Sequence, residues 1–62
     1  MKVTIEFYDN NTSFWDESGE VNKKAVAAEV HDAARQIHRG RDDGRLFDAW
    51  GNYAGKFVIE SD

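Results

Sequence analysis

Acidic side chains are the residues of this sequence whose type and spacing best indicate a chemistry, and that chemistry is binding. The first 20 residues hold one lysine against five acids, with Trp15 among them: Glu6, Asp9, Asp16, Glu17 and Glu20. Tryptophan is a frequent anchor in protein interfaces. Carboxylates can mimic the spacing of phosphates, so this set predicts a surface that meets a basic nucleic-acid-binding groove on another protein. A solvated acidic loop is the plainer interpretation of the same residues.

The two histidines do not form a catalytic or metal-binding pattern. His31 and His38 are seven residues apart, whereas a metal-binding pair on a helix needs a spacing of four. The chain has no cysteine, and the acids of Asp42-Asp43 are not at the alternate positions that a calcium loop uses. We therefore predict no catalytic residue, no metal site, no cofactor and no enzymatic activity.

A group of arginines indicates an alternative function, in which cations would hold phosphates and nearby aromatic rings would stack on bases. The residues concerned are Arg35, Arg39, Arg41 and Arg45, with Trp50 and Tyr53. The net charge of −4 opposes this alternative, because affinity for nucleic acid depends on cationic contacts. Direct nucleic-acid binding is accordingly the less favoured interpretation.

One long helix must position several of these residues. The segment from Lys23 to Arg39 has apolar residues at helical spacing and is rich in alanine. Asn22 is the best N-cap candidate, and Gly40 can close the helix in the left-handed conformation. The apolar stripe is narrow and made mostly of small residues: Val26, Val30, Ala33, Ala34 and Ile37.

Strands are predicted on both sides of the helix. Residues 2–8 alternate, with Val3, Ile5 and Phe7 on one face. Asp9-Asn10-Asn11 has the composition of a turn. Residues 12–15 predict an irregular segment or a short edge strand that places Phe14 or Trp15 against the core.

A hairpin is predicted for residues 45–60, with Gly51-Asn52 as a two-residue turn. That register sets Trp50 opposite Tyr53, Asp48 opposite Gly55 and Leu46 opposite Phe57. It predicts one face made of Leu46, Trp50, Tyr53, Phe57 and Ile59. The other face would carry Phe47, Ala49, Ala54, Lys56 and Val58.

Together these elements predict one α+β domain over residues 1–62, in the order β-α-β-β. The sheet would be three-stranded and mostly antiparallel, with the helix on one face and the other face open. An open face or a free strand edge could also pair two copies, so a homodimeric structural module is a second alternative. The sequence contains no membrane-spanning run or signal peptide, which predicts a cytoplasmic location.

The stretch KVTIEFYDNNTSFWDESGEVN, the alanine-rich helix and the hairpin DAWGNYAGKFVI together resemble the small phage-encoded anti-CRISPR proteins. The resemblance lies in size, acidity, absence of cysteine and layout. It implies a non-enzymatic phage or mobile-element protein in the cytoplasm of a bacterial host. It also implies a partner with a basic DNA- or RNA-binding surface, such as a type I CRISPR effector complex. On the charge distribution, the partner-binding residues would be Glu6, Asp9, Trp15, Asp16, Glu17 and Glu20.

Overall fold

The computed structural model describes residues 1–8 and 12–61 and confirms the predicted α+β architecture. The three strands form one antiparallel sheet in the order β1-β3-β2, and the helix packs on one face. Within the described residues, no helix combines the length and apolar character that crossing a membrane would require. The elements are β1 (Lys2–Phe7), a short 3-10 turn (Thr12–Phe14), α1 (Lys23–His38), β2 (Asp43–Phe47) and β3 (Tyr53–Glu60).

The predicted start of α1 is confirmed, and the helix ends at His38, one residue before the predicted end at Arg39. The side-chain oxygen of Asn22 accepts a hydrogen bond from the backbone N–H of Ala25 at 3.3 Å, which satisfies one of the free donors of the first turn. At the other end, Gly40 has a φ of 98°, and its N–H donates to the Ile37 carbonyl at 2.9 Å. Local capping chemistry therefore sets the helix boundaries.

We expect Asn22→Ala to lower the free energy of unfolding by about 1 kcal/mol, the usual cost of losing an N-cap acceptor. Asn22→Asp keeps an acceptor at the same position and should leave stability within about 0.5 kcal/mol of the parent. Urea denaturation followed by circular dichroism measures both. An alanine variant as stable as the parent would show that this cap contributes nothing.

The core is small and is centred on β3. Ala33 of α1, Leu46 of β2 and Phe57 of β3 form its buried cluster, and Phe7 and Ile37 pack against them. Of the predicted apolar stripe, Ala33 is fully buried, whereas Val30 remains 38% exposed. The helix packs mainly against β2, so part of the sheet near β1 is left uncovered.

The hairpin prediction was wrong in its register. Leu46 pairs with Gly55 and Phe47 with Tyr53, so β2 ends at Phe47 and residues 48–52 form a longer loop. The cause is the carboxylate of Asp48, which accepts hydrogen bonds from the backbone N–H groups of Trp50 and Asn52, each at 2.9 Å. This side chain stabilises a turn where the sequence pattern indicated a continued strand.

The altered register also changes which faces two aromatic residues occupy. Trp50 was predicted on the same face as Leu46 and Phe57 but lies in the loop with 77% of its surface exposed. The register shift between β2 and β3 places Tyr53 beside Phe47, their ring centroids 5.9 Å apart. Tyr53 also contacts Tyr8 at 5.3 Å, so these three rings lie on the open face of the sheet.

The sequence left open the conformation of residues 12–15 and whether Phe14 or Trp15 is buried, and the structure answers both questions. Residues 12–14 form the 3-10 turn, and Phe14, with 5% exposed, is the ring that enters the core. Trp15 makes an isolated antiparallel bridge with Val21. The turn predicted at Asp9-Asn10-Asn11 lies outside the described residues.

Candidate functional site

Residues 15–21 form a closed loop, which we call the acidic loop. The bridge between Trp15 and Val21 closes its base. The N–H of Asp16 donates to the Glu20 carbonyl at 2.8 Å, and that of Gly19 donates to the Asp16 carbonyl at 3.1 Å. Backbone hydrogen bonds thus define the loop's conformation without a partner present.

The carboxylate of Asp16 organises the acidic loop from within. One of its oxygens accepts hydrogen bonds from the hydroxyl of Ser18 at 2.6 Å and from the backbone N–H groups of Ser18 at 2.9 Å and Glu20 at 3.0 Å. The Ser18 hydroxyl, followed by the backbone donor of Glu20, holds the pKa of Asp16 below its ordinary value. Hydrogen bonds of this kind favour the ionised carboxylate, so Asp16 is negatively charged at neutral pH.

Both ends of the acidic loop are attached to the folded core. Phe14, immediately before it, packs edge-on against Phe7 of β1 with ring centroids 5.0 Å apart. Asn22, immediately after it, caps α1, and its N–H donates to the Phe14 carbonyl at 2.8 Å. The loop is therefore held between the sheet and the start of the helix.

An apolar groove of about 300 Å³ lies beside the acidic loop. Trp15 is 42% exposed and Val21 is 49% exposed, so both present apolar surface to solvent next to carboxylates. The groove is lined by Phe7, Tyr8, Phe14, Trp15, Val21 and Val26. An apolar groove with an acidic border suits a partner segment that carries both apolar and basic side chains.

The structure brings together four of the six predicted binding residues: Trp15, Asp16, Glu17 and Glu20. Glu6 is separate from them. It pairs across the strands with Lys56, and because side chains alternate along β1 it projects to the face opposite Phe7 and Phe14. Asp9 lies outside the described residues.

Sequence reasoning missed Val21 as part of this surface. A signal for it was present, because Val21 directly precedes the N-cap Asn22 and Val26 is the fourth residue of α1. Apolar residues at these two positions commonly pack together at the start of a helix. Both side chains line the groove, so this local motif also forms part of its wall.

The four arginines of the alternative function do not form one site. Arg35 pairs with Asp32, three residues earlier on α1, at 3.2 Å, and Arg41 lies 3.8 Å from Asp43. Arg45 instead extends over the ring of Tyr53, 5.6 Å from its centroid. Two of these cations therefore have carboxylate partners, and a third lies on the open face of the sheet.

A larger groove, of about 780 Å³, runs between α1 and the β2 edge. Several of its polar groups already contact one another. Gln36 donates from its side-chain nitrogen to the Asp32 carboxylate at 3.1 Å and to the Arg45 carbonyl at 3.2 Å. These contacts hold the helix to the sheet, so we assign this groove a structural role.

Comparisons with known proteins do not assign the acidic loop a function. No protein-family model, curated protein or solved structure matches this chain. Across residues 1–8 and 12–61, no group of three or more His, Cys, Asp or Glu side chains could hold a metal ion. The geometry of the loop and groove is the basis on which a function can be proposed.

Proposed function

We propose that this protein is a non-enzymatic inhibitor that docks its acidic loop on a basic, nucleic-acid-binding surface of a bacterial defence complex. The observation that supports this function is the preformed loop, which presents Trp15 beside three carboxylates, those of Asp16, Glu17 and Glu20. A loop that is already ordered loses less conformational entropy on binding. Its structure therefore suits recognition of a partner.

The charge of the loop selects the kind of partner. An acidic surface associates faster with a basic one, because complementary potentials steer the encounter, and like charges repel other acidic surfaces. Trp15 and the apolar groove would add contact area that charge alone does not provide. A groove that normally holds DNA or RNA offers both cations and flat apolar contacts, and occupying it excludes the nucleic acid.

The resemblance to anti-CRISPR proteins makes a type I CRISPR effector complex the first target to test. In bacteria that carry such a system, a plasmid with a matching target transforms poorly. We expect expression of this protein to restore transformation. With purified components, the protein should prevent the effector complex from binding target DNA in a gel shift, and this effect should weaken as salt is raised.

Reversing two carboxylates of the acidic loop should weaken the inhibition. We expect Glu17→Lys with Glu20→Lys to reduce the affinity for the target complex by about ten- to a hundred-fold, because repulsion replaces attraction at the contact. Asp16 is kept in this variant because its carboxylate organises the loop. Titration of DNA-binding inhibition measures the change.

The matched control is Asp42→Lys with Asp43→Lys, which alters net charge by the same amount. Those residues follow the C-terminal end of α1, a helix of 16 residues that is about 24 Å long, whereas the acidic loop precedes its N-terminal end. We expect the control to inhibit nearly as well as the parent. If both variants lose inhibition equally, net charge and not the acidic loop is responsible.

The alternative functions give different results in the same assays. A direct nucleic-acid binder would shift free DNA or RNA when the effector complex is omitted. We expect no such shift, because the protein carries a net charge of −4. Failure to relieve interference by any type I complex, together with unchanged DNA binding by those complexes, would contradict the proposed function.

A further inference from the structure

We propose that two copies of this protein associate through antiparallel pairing of their β1 strands, with the two-fold axis at Thr4. The result would be one continuous six-stranded sheet. This inference concerns the sheet edge and is independent of the function proposed for the acidic loop.

The outer edge of β1 is an uninterrupted template for another strand. The N–H of Tyr8 donates to the Ala54 carbonyl at 2.9 Å, so the even-numbered residues of β1 direct their peptide groups toward β3. The peptide groups of Val3 and Ile5 therefore face away from the sheet, and no hydrogen bond from the described residues reaches them. The pairing with β3 is regular throughout, and β1 contains no proline, so neither a bulge nor a proline blocks this edge.

The opposite edge of the sheet is protected. The outward carbonyl of Arg45 in β2 accepts a hydrogen bond from the side chain of Gln36 at 3.2 Å. The pairing of β2 with β3 also shifts between Leu46 and Phe47, and irregularities of this kind disrupt edge-to-edge association. The contrast identifies β1 as the edge available for pairing.

Charge complementarity selects the register. Only registers that pair odd-numbered residues with odd-numbered residues let the outward peptide groups bond. With Thr4 on the axis, Lys2 of each copy lies opposite Glu6 of the other, and closely spaced opposite charges stabilise such pairs. Moving the axis to Ile5 would set Glu6 opposite Thr4 and leave Lys2 without an acidic partner across the new junction.

The same register covers apolar surface. Val3 is 48% exposed and Ile5 is 37% exposed, and both lie on the helix side of the sheet because Ile5 pairs with the core residue Phe57. In the dimer each Val3 would lie beside Ile5 of the second copy. With Thr4 on the axis, antiparallel pairing thus places cations next to anions on the open face and apolar side chains next to apolar ones on the helix side.

Sedimentation equilibrium of the parent protein tests the association. Over concentrations from about 5 µM to about 500 µM we expect a reversible shift from the mass of one chain, 7.1 kDa, to that of two. Amide hydrogen exchange at Val3 and Ile5 should slow as concentration rises, while exchange at Glu6, whose N–H faces β3, should stay the same. A single-chain mass across the whole range would overturn the proposal.

Charge swaps test the register. Lys2→Glu and Glu6→Lys, each alone, should weaken dimerisation by about ten-fold, because each places two like-charged pairs across the axis. The double variant Lys2→Glu with Glu6→Lys should restore the parent's association. Within each chain, position 2 lies opposite Glu60 and position 6 lies opposite Lys56. The double variant makes both of these pairs like-charged, so better folding cannot explain the recovered association.

The remaining outcomes decide against the proposal. If the single variants dimerise like the parent, association uses another surface, such as the open face of the sheet. If the double variant stays as weak as the single ones, Lys2 does not lie opposite Glu6 and the register is wrong. Circular dichroism tests whether each variant is folded. If a variant is unfolded, the hydrogen-exchange experiment on the parent protein still tests whether β1 pairs with a second copy.

Discussion

Phe57→Ala is expected to leave most of the protein unfolded at 37 °C. Phe57 is 1% exposed and lies on the central strand, in the buried cluster with Ala33 and Leu46. Truncating a buried phenylalanine typically costs about 3–5 kcal/mol. A domain of this size without disulfides or metals has a total stability of about that magnitude, so the loss of this single ring removes most of it.

Phe47→Ala is the matched control, because it removes the same side chain from the neighbouring strand. Phe47 is 45% exposed and lies on the open face of the sheet, so we expect a loss of no more than about 1.5 kcal/mol. Thermal and urea unfolding followed by circular dichroism would compare the two variants. A Phe57→Ala protein that melts within a few degrees of the parent would contradict the assignment of the core.

Gly55→Ala should be nearly as damaging, for a different reason. A Cβ atom at position 55 would overlap the backbone carbonyl oxygen of Glu6 and lie 3.0 Å from Phe7 Cδ1 and 3.1 Å from its Cα. Because backbone atoms cannot move aside as a flexible side chain can, β1 would have to separate from β3. We expect a loss of about 3 kcal/mol or more in the free energy of unfolding.

Gly40→Ala distinguishes this steric effect from the general cost of replacing a glycine. A Cβ atom at position 40 meets nothing within 4 Å, although the φ of 98° disfavours alanine. The expected loss is about 1 kcal/mol. Urea denaturation of both variants measures the difference, and equal losses would mean that the close approach of β1 to β3 at Gly55 is not important for stability.

The acidic loop shows how far sequence reasoning reached at the candidate site. Composition alone singled out Trp15, Asp16, Glu17 and Glu20, and the fold brings them into one loop. It could not separate Glu6 from that group, because the face on which a strand residue projects becomes meaningful only when the position of the core is known. Nor did charge reveal that Asp16 organises the loop through hydrogen bonds to its own backbone.

Local chemistry by itself determined the class of fold and the limits of the helix. Helical spacing, the Asn22 cap and Gly40 act within a few residues of one another, so they can be recognised without knowing any distant contact. The alternation in β1 is likewise a local property. These features were sufficient to predict the β-α-β-β order and the antiparallel sheet.

Only the tertiary structure decided the register of β2 with β3, the burial of Phe57 and the exposure of Trp50. Alternation is unchanged when one strand slides by two residues along its partner, so the sequence pattern cannot distinguish such registers. The choice depended on Asp48, because this residue could either continue β2 or end it. Its carboxylate ends the strand by accepting hydrogen bonds from backbone N–H groups of the turn that follows. Packing of Leu46 and Phe57 against Ala33 of the helix is a non-local contact that favours the observed register. Because this packing places the helix over β2, β1 remains a regular, uncovered edge.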